Sequence, residues 1–157
     1  MKKKSLLIEY NEYASAQEIS LKDQELLERA KEALENAYAP YSKFRVGAAV
    51  QLQDGMIITG NNQENIAYPS GLCAERVALF STGANFPGAV IDTLAIVAKG
   101  DLVKEDAVIS PCGSCRQVIF ESEKRQMAPI RILILGMDGR VIEFKKSTDL
   151  LTFAFGL

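Results

Sequence analysis

The chain has 157 residues, 48% of them apolar and 24% charged, which is ordinary for one folded globular domain and excludes a disordered or fibrous chain. Lysine plus arginine total 18 against 20 acidic residues, so the net charge of -2 leaves no basic surplus for a phosphate backbone and no nucleic-acid partner is expected. The apolar run Leu6-Leu7-Ile8 stops at Glu9, too short for a signal-peptide core or a membrane span, and a soluble cytoplasmic protein is expected.

Residues 1 to 19 show no period and no motif, and they read as an N-terminal extension of unknown role. Ser20 followed by Asp23 has the form of a helix start, and Leu21, Leu26, Leu27, Ala30, Ala33, Leu34 and Ala37 then recur at three- and four-residue intervals, predicting an amphipathic helix that ends before Pro40. Two apolar runs, Phe44 to Leu52 and Met56 to Gly60, meet across Gln53-Asp54-Gly55, where the Asp-Gly pair signals a hairpin. An Asn-rich polar loop ending in Pro69-Ser70-Gly71 leads into a predicted second helix from Leu72 to Phe80, with Val77, Ala78 and Leu79 available for a core. Val90 to Val97 and Ile130 to Leu135 have the composition of buried strands, with a helix begun near Cys112 and continuing over Gln117 to Glu123 between them. Val141 to Phe144 pairs back on Ile130 to Leu135 across Asp138-Gly139. This order predicts one α/β domain over residues 1 to 157, with helices covering a mixed sheet, and no repeat or linker divides it.

Three cysteines are an odd number, so a disulfide framework is not expected and metal binding or catalysis is the leading use of the thiols. Cys112-Gly113-Ser114-Cys115 alone is open between a redox pair, half of a structural zinc site and two buried thiols. Pro111 suits a first helical turn, which places Cys112 and Cys115 on one face near the positive end of a helix dipole, and Cys73 stands at another helix start after Gly71. Three thiolates without a fourth Cys or any His leave one tetrahedral position of a zinc ion open, as in a catalytic site. Glu75, two residues after a ligand, is the candidate general acid/base, and Arg76 is placed to withdraw negative charge from the sulfurs.

Cys73-Ala74-Glu75-Arg76, Pro111-Cys112-Gly113-Ser114-Cys115-Arg116-Gln117 and Pro40-Tyr41-Ser42-Lys43-Phe44-Arg45-Val46-Gly47-Ala48-Ala49 together resemble the small homotetrameric cytidine deaminases. The resemblance runs from about Tyr38 to Gly156 and implies a three-layer sandwich with a mixed central sheet of about five strands. It implies Zn²⁺, one per subunit, held by Cys73, Cys112 and Cys115, with Arg76 and Gln117 supporting the ligands. For the substrate it implies Asn62 and Glu64 on the ribose hydroxyls, Phe44 on the pyrimidine edge, Tyr68 and Ala74 nearby, and Phe155 closing over the site of a neighbouring subunit. Thr152 stands where that ending usually has proline.

The reaction so implied is hydrolysis of cytidine and deoxycytidine to the uracil nucleosides and ammonia, in pyrimidine salvage. Zinc lowers the pKa of a water, and Glu75 carries its proton to N3 and returns one to the leaving amino group. A blasticidin-type deaminase shares the cysteine motifs and the glutamate but resembles this chain less from Asn62 to Tyr68. A non-catalytic zinc or thiol module is opposed by the open ligand position and by Glu75.

Overall fold

The computed structural model describes residues 1–102, 104 and 106–156. In chain order it contains β1 (Asn11–Tyr13), α1 (Leu21–Glu35), β2 (Arg45–Leu52), β3 (Ile57–Asn61), α2 (Ala74–Asn85), β4 (Ile91–Lys99), α3 (Gly113–Gln126), β5 (Arg131–Leu135) and β6 (Val141–Phe144). The strands form one mixed sheet in the order β1-β6-β5-β4-β2-β3. Only β4 and β5 are parallel, a pairing that needs a crossover, and α3 supplies it; every other neighbouring pair is antiparallel. Gly55 and Gly139, at the tips of the β2-β3 and β5-β6 hairpins, take φ of +92° and +88°, as the Asp-Gly pairs lead one to expect.

Both faces of the sheet are buried, which makes three layers. The Ser20 side chain accepts from the Asp23 N–H at 3.2 Å to cap α1, and Leu26, Leu27, Ala30 and Leu34 pack on Ala49, Ala95, Val97, Leu133 and Val141. The residues between these in the strands, Ala48, Val50, Leu94, Ile96, Ile132 and Ile134, point the other way and pack with Ala78 and Leu79 of α2 and Ile119 of α3. A fully buried Leu or Ile contributes about 1.5–3 kcal/mol by leaving water, against about 1 kcal/mol for a cap, so packing on the sheet fixes where each helix lies.

The approach is closest at two glycines. A Cβ on Gly47 would lie 2.0 Å from the Ala30 carbonyl oxygen of α1, and one on Gly60 would lie 2.5 Å from the Ala78 nitrogen of α2. Only a missing side chain lets each helix backbone sit down on β2 or β3 at this distance.

The structure extends the expected five-stranded sheet to six, because Asn11–Tyr13 pairs with β6. The tie is buried Glu143, which accepts from Asn11 Nδ2 at 2.8 Å, from the Tyr13 hydroxyl at 2.9 Å and from Arg131 Nη2 at 2.7 Å. Arg131 also donates to Asp23 of α1 at 3.1 Å. Three residues carry no readable alternation, and their partner lies 130 positions away, so this strand has no local signal. Two helix boundaries also move. Leu72 is extended and exchanges two backbone hydrogen bonds with Gln63, so α2 begins at Ala74, and it runs on to Asn85.

Candidate active site

The three cysteines converge because two helix N-termini do. Cys73 is the N-cap of α2 and Cys112 the N-cap of α3, both with extended backbone, and Cys115 lies in the first turn of α3. Pro111 thus precedes the cap and does not occupy the first helical turn expected of it, yet Cys112 and Cys115 still face one point, being cap and third residue of one turn. Neither N-cap side chain bonds a backbone N–H of its helix, so both sulfurs are free for another partner at the positive ends of two dipoles.

The sulfur geometry tests whether a metal fits. Cys73 Sγ lies 3.9 Å from Cys112 Sγ, Cys112 Sγ lies 3.5 Å from Cys115 Sγ, and all three are within 4.8 Å of one another. Tetrahedral zinc with Zn–S of about 2.3 Å requires sulfurs about 3.8 Å apart, so the set fits one zinc ion with one position to spare. Hydrogen bonds from Cys115 first, then from Arg76 and Cys112, bring the Cys73 thiol down to about 5, against burial. The same contact with Cys73, together with burial, pushes the Cys115 thiol up.

Arg76 Nη2 donates to Cys73 Sγ at 3.6 Å, while its Nε is buried with no partner among the protein atoms. The cation therefore serves the sulfur cluster and is not a solvated surface arginine. Glu75, in the first turn of α2, is 4% exposed, and burial raises its carboxyl above the usual range. Such a carboxyl, beside a thiol cluster that fits zinc, can act as a proton carrier.

Cys73, Cys112, Glu75 and Arg76 line one cavity of about 600 Å³, whose wall also includes Phe44, Asn62, Glu64 and Tyr68. Asn62 Oδ1 accepts from the Val46 N–H at 2.8 Å and its Nδ2 donates to the Phe44 carbonyl at 2.9 Å, which fixes Phe44 against the cavity. Glu64 accepts from the N–H groups of Tyr41 at 2.9 Å and Ser42 at 3.3 Å and from the Ser42 hydroxyl. Those hydrogen bonds leave its carboxyl below the ordinary range in spite of partial burial. Tyr41 and Tyr68 meet edge to face at the mouth, ring centres 6.3 Å apart.

Two expected residues, Ala74 and Gln117, do not line the cavity. Ala74 is fully buried and packs in the core behind the site. Gln117 exchanges two hydrogen bonds with the Phe155 backbone, donating at 2.7 Å and accepting at 3.1 Å, and so holds the C-terminal segment rather than a sulfur. The Phe155 ring is 83% exposed and does not line this chain's cavity. Sequence reasoning missed Tyr41, Ser42 and Ile109 as lining residues. Tyr41 and Ser42 stood inside a quoted motif, where the left-handed Lys43 (φ +57°) that aims them has no signal of its own.

The family model for the cytidine and deoxycytidylate deaminase zinc-binding region matches residues 20–129. The chain is 43% identical over 98 residues to a cytidine deaminase of Halalkalibacterium halodurans, covering 62% of this chain and 70% of that one. The solved structure of cytidine deaminase from Burkholderia pseudomallei superposes with a TM-score of 0.72 at 41% identity, over 83% of this chain and 97% of that one. A blasticidin-S deaminase of Bacillus cereus is 30% identical over 128 residues, covering 80% of this chain and 86% of that one.

Proposed function

This chain belongs to the cytidine and deoxycytidylate deaminase zinc-binding family, and from that premise we propose that it hydrolyses cytidine to uridine and ammonia. The observation that carries the reading is a three-thiol cluster fitted to zinc at one end of a cavity that Glu75 also lines, with Asn62 and Glu64 in the same wall. Cys73, Cys112 and Cys115 would hold the zinc ion, whose Lewis acidity would make water a nucleophile near neutral pH. Glu75 takes the proton of the attacking water and hands it to N3 of the ring as C4 is attacked, then takes the proton of the new C4 hydroxyl and delivers it to the amino group, so that C4=O forms, the C4–N bond breaks and ammonia leaves. Arg76 offsets part of the charge of three thiolates through Cys73.

Hydrogen-bond arithmetic supports sugar recognition. Asn62 uses one of its two N–H donors on Phe44 and one Oδ1 lone pair on Val46, and Glu64 uses three of about four acceptor sites on Tyr41 and Ser42. One donor and two acceptors then remain, enough to meet the 3′-hydroxyl that ribo- and deoxyribonucleosides share. Deoxycytidine is accordingly a second substrate. Phe44 packs on the pyrimidine, and Tyr68 narrows the entrance.

No described helix is long and apolar enough to cross a membrane. We place the enzyme in the cytoplasm, in pyrimidine salvage, as a homotetramer. The exposed Phe153 and Phe155 rings, held out on a segment that Gln117 tethers, support a site completed by a neighbouring subunit.

The decisive experiment follows the loss of cytidine's ultraviolet absorbance and the release of ammonia, with wild type and Glu75→Ala, alongside zinc content. Wild type turns over cytidine, and the variant keeps its zinc but not its rate. Loss of metal together with activity would make Glu75 a support of the site, and turnover of blasticidin S without cytidine would move the enzyme to that antibiotic's deaminases.

A further inference from the structure

Cys112 is the exposed member of the cysteine cluster, and no regular element is described between the end of β4 at Lys99 and α3 at Gly113. Its sulfur nevertheless sits 3.9 Å and 3.5 Å from those of Cys73 and Cys115, so the segment that leads into the α3 cap must itself be held in place. Ile109 packs against the core there, and Arg116 supplies the polar tie. Arg116 points its guanidinium back over the helix start, where Nε donates to the Pro111 carbonyl at 2.8 Å and Nη2 to the Ser110 hydroxyl at 2.7 Å. The remaining branch, Nη1, donates to the Leu150 carbonyl at 2.9 Å, just past the 3-10 turn Ser147–Asp149.

That turn is itself anchored. Glu123 of α3 accepts from the Ser147 N–H and hydroxyl, both at 2.8 Å, and from the Ile130 N–H at 3.0 Å, where β5 is about to begin. The planar fork of one arginine thus joins the two residues immediately before a metal ligand to a segment pinned on the rigid layer below. Its three good donor distances give this joint a geometry that a single point charge could not.

We propose that Arg116 is the positioning residue for Cys112, clamping Ser110-Pro111 to the anchored Leu150 turn so that the Cys112 thiolate is already in place for the metal. Without the clamp the exposed N-cap thiolate swings away between encounters with the ion, and the metal is lost through that ligand first. Groups that orient metal ligands without touching the metal typically change affinity by about 10- to 100-fold when removed.

The test uses the zinc-loaded protein and an excess of a chromogenic zinc chelator, read as the rate of zinc release well below the melting temperature. Arg116→Ala should release zinc on the order of 10-fold or more faster, and Arg116→Lys, which can keep one of the three bonds, should fall between it and wild type. Leu26→Ala serves as the control, since it opens a cavity between α1 and the far face of the sheet and destabilises the fold without touching Ser110, Pro111 or the Leu150 turn. It should melt lower yet release zinc at close to the wild-type rate. If Arg116→Ala does not fold, Arg116→Lys decides alone against the same control. Wild-type release from the Arg116 variants, or equal acceleration in Leu26→Ala, would overturn the proposal and leave Arg116 a general packing residue.

Discussion

Replacing Gly60 with alanine couples the sheet to the chemistry through one contact. A Cβ there would stand 2.5 Å from the Ala78 nitrogen, 2.7 Å from the Ala74 oxygen and 3.1 Å from the Ala78 Cα, all of them α2 backbone atoms. Ordinary contact begins near 3.4 Å, so no rotamer relieves the clash and α2 must retreat from β3 by roughly 0.7–0.9 Å. Overpacking of this kind costs about 1–3 kcal/mol, which in a domain of this size lowers Tm by about 2–12 °C. The helix that moves carries Cys73 at its cap and Glu75 in its first turn, and a displacement near 1 Å costs on the order of 100-fold in a positioned reaction. We expect kcat/KM for cytidine to fall about 10- to 100-fold at a temperature where the variant is fully folded, a larger loss than its stability accounts for. Gly83, in the same helix, is the contrast: a Cβ there meets only Arg125 Nη2, at 3.5 Å. Gly83→Ala should stabilise by up to about 1 kcal/mol and leave the rate unchanged. Thermal melts and initial rates on the three proteins decide the matter. A Gly60→Ala enzyme with wild-type Tm and rate would refute the claim that β3 sets the height of the catalytic helix.

Acid stability should depend on Glu143. Burial pushes its carboxyl up, but the hydrogen bonds from Asn11, Arg131 and Tyr13 more than reverse this and hold it below the usual carboxylate range. A depressed folded pKa means that the stabilisation is complete above the unfolded value of about 4.3 and is lost as pH falls through the folded one. Urea unfolding of Glu143→Gln should therefore be the less pH-dependent of the two below about pH 4, and curves of wild-type steepness would remove Glu143 from the acid transition. Deleting residues 1–13 takes away the Asn11 and Tyr13 donors and uncovers the edge of β6, which should cost about 1–3 kcal/mol in chemical unfolding without changing zinc content. Arg76→Gln should keep the fold and slow deamination, with the pH-rate profile displaced upward because a neutral amide draws less charge from Cys73; an unmoved profile would disconnect Arg76 from the metal's acidity.

Much of this molecule is local and so could be read from the sequence. Heptad-like spacing from Leu26 to Leu34, apolar runs broken at Asp54-Gly55 and Asp138-Gly139, and the cap at Ser20 each act within a few residues, and the matching elements formed. The cysteine motifs are equally local, since residue type and spacing at Cys73, Cys112 and Cys115 already limit what chemistry the thiols can do. Tertiary structure decided whatever depends on meetings between distant segments. Strand β1 exists because Glu143, on a strand 130 residues later, offers a buried acceptor to Asn11 and Tyr13. Which way Asn62 and Glu64 spend their hydrogen bonds was set by the return of residues 41 to 46 alongside them, and what Arg116 and Gln117 grip was set by the return of the C-terminal segment over α3. A side chain's chemistry is fixed by its type, but its partners are fixed by the packing of helices on a shared sheet. That packing put the N-termini of α2 and α3 together and brought three thiols to within 4.8 Å of one another.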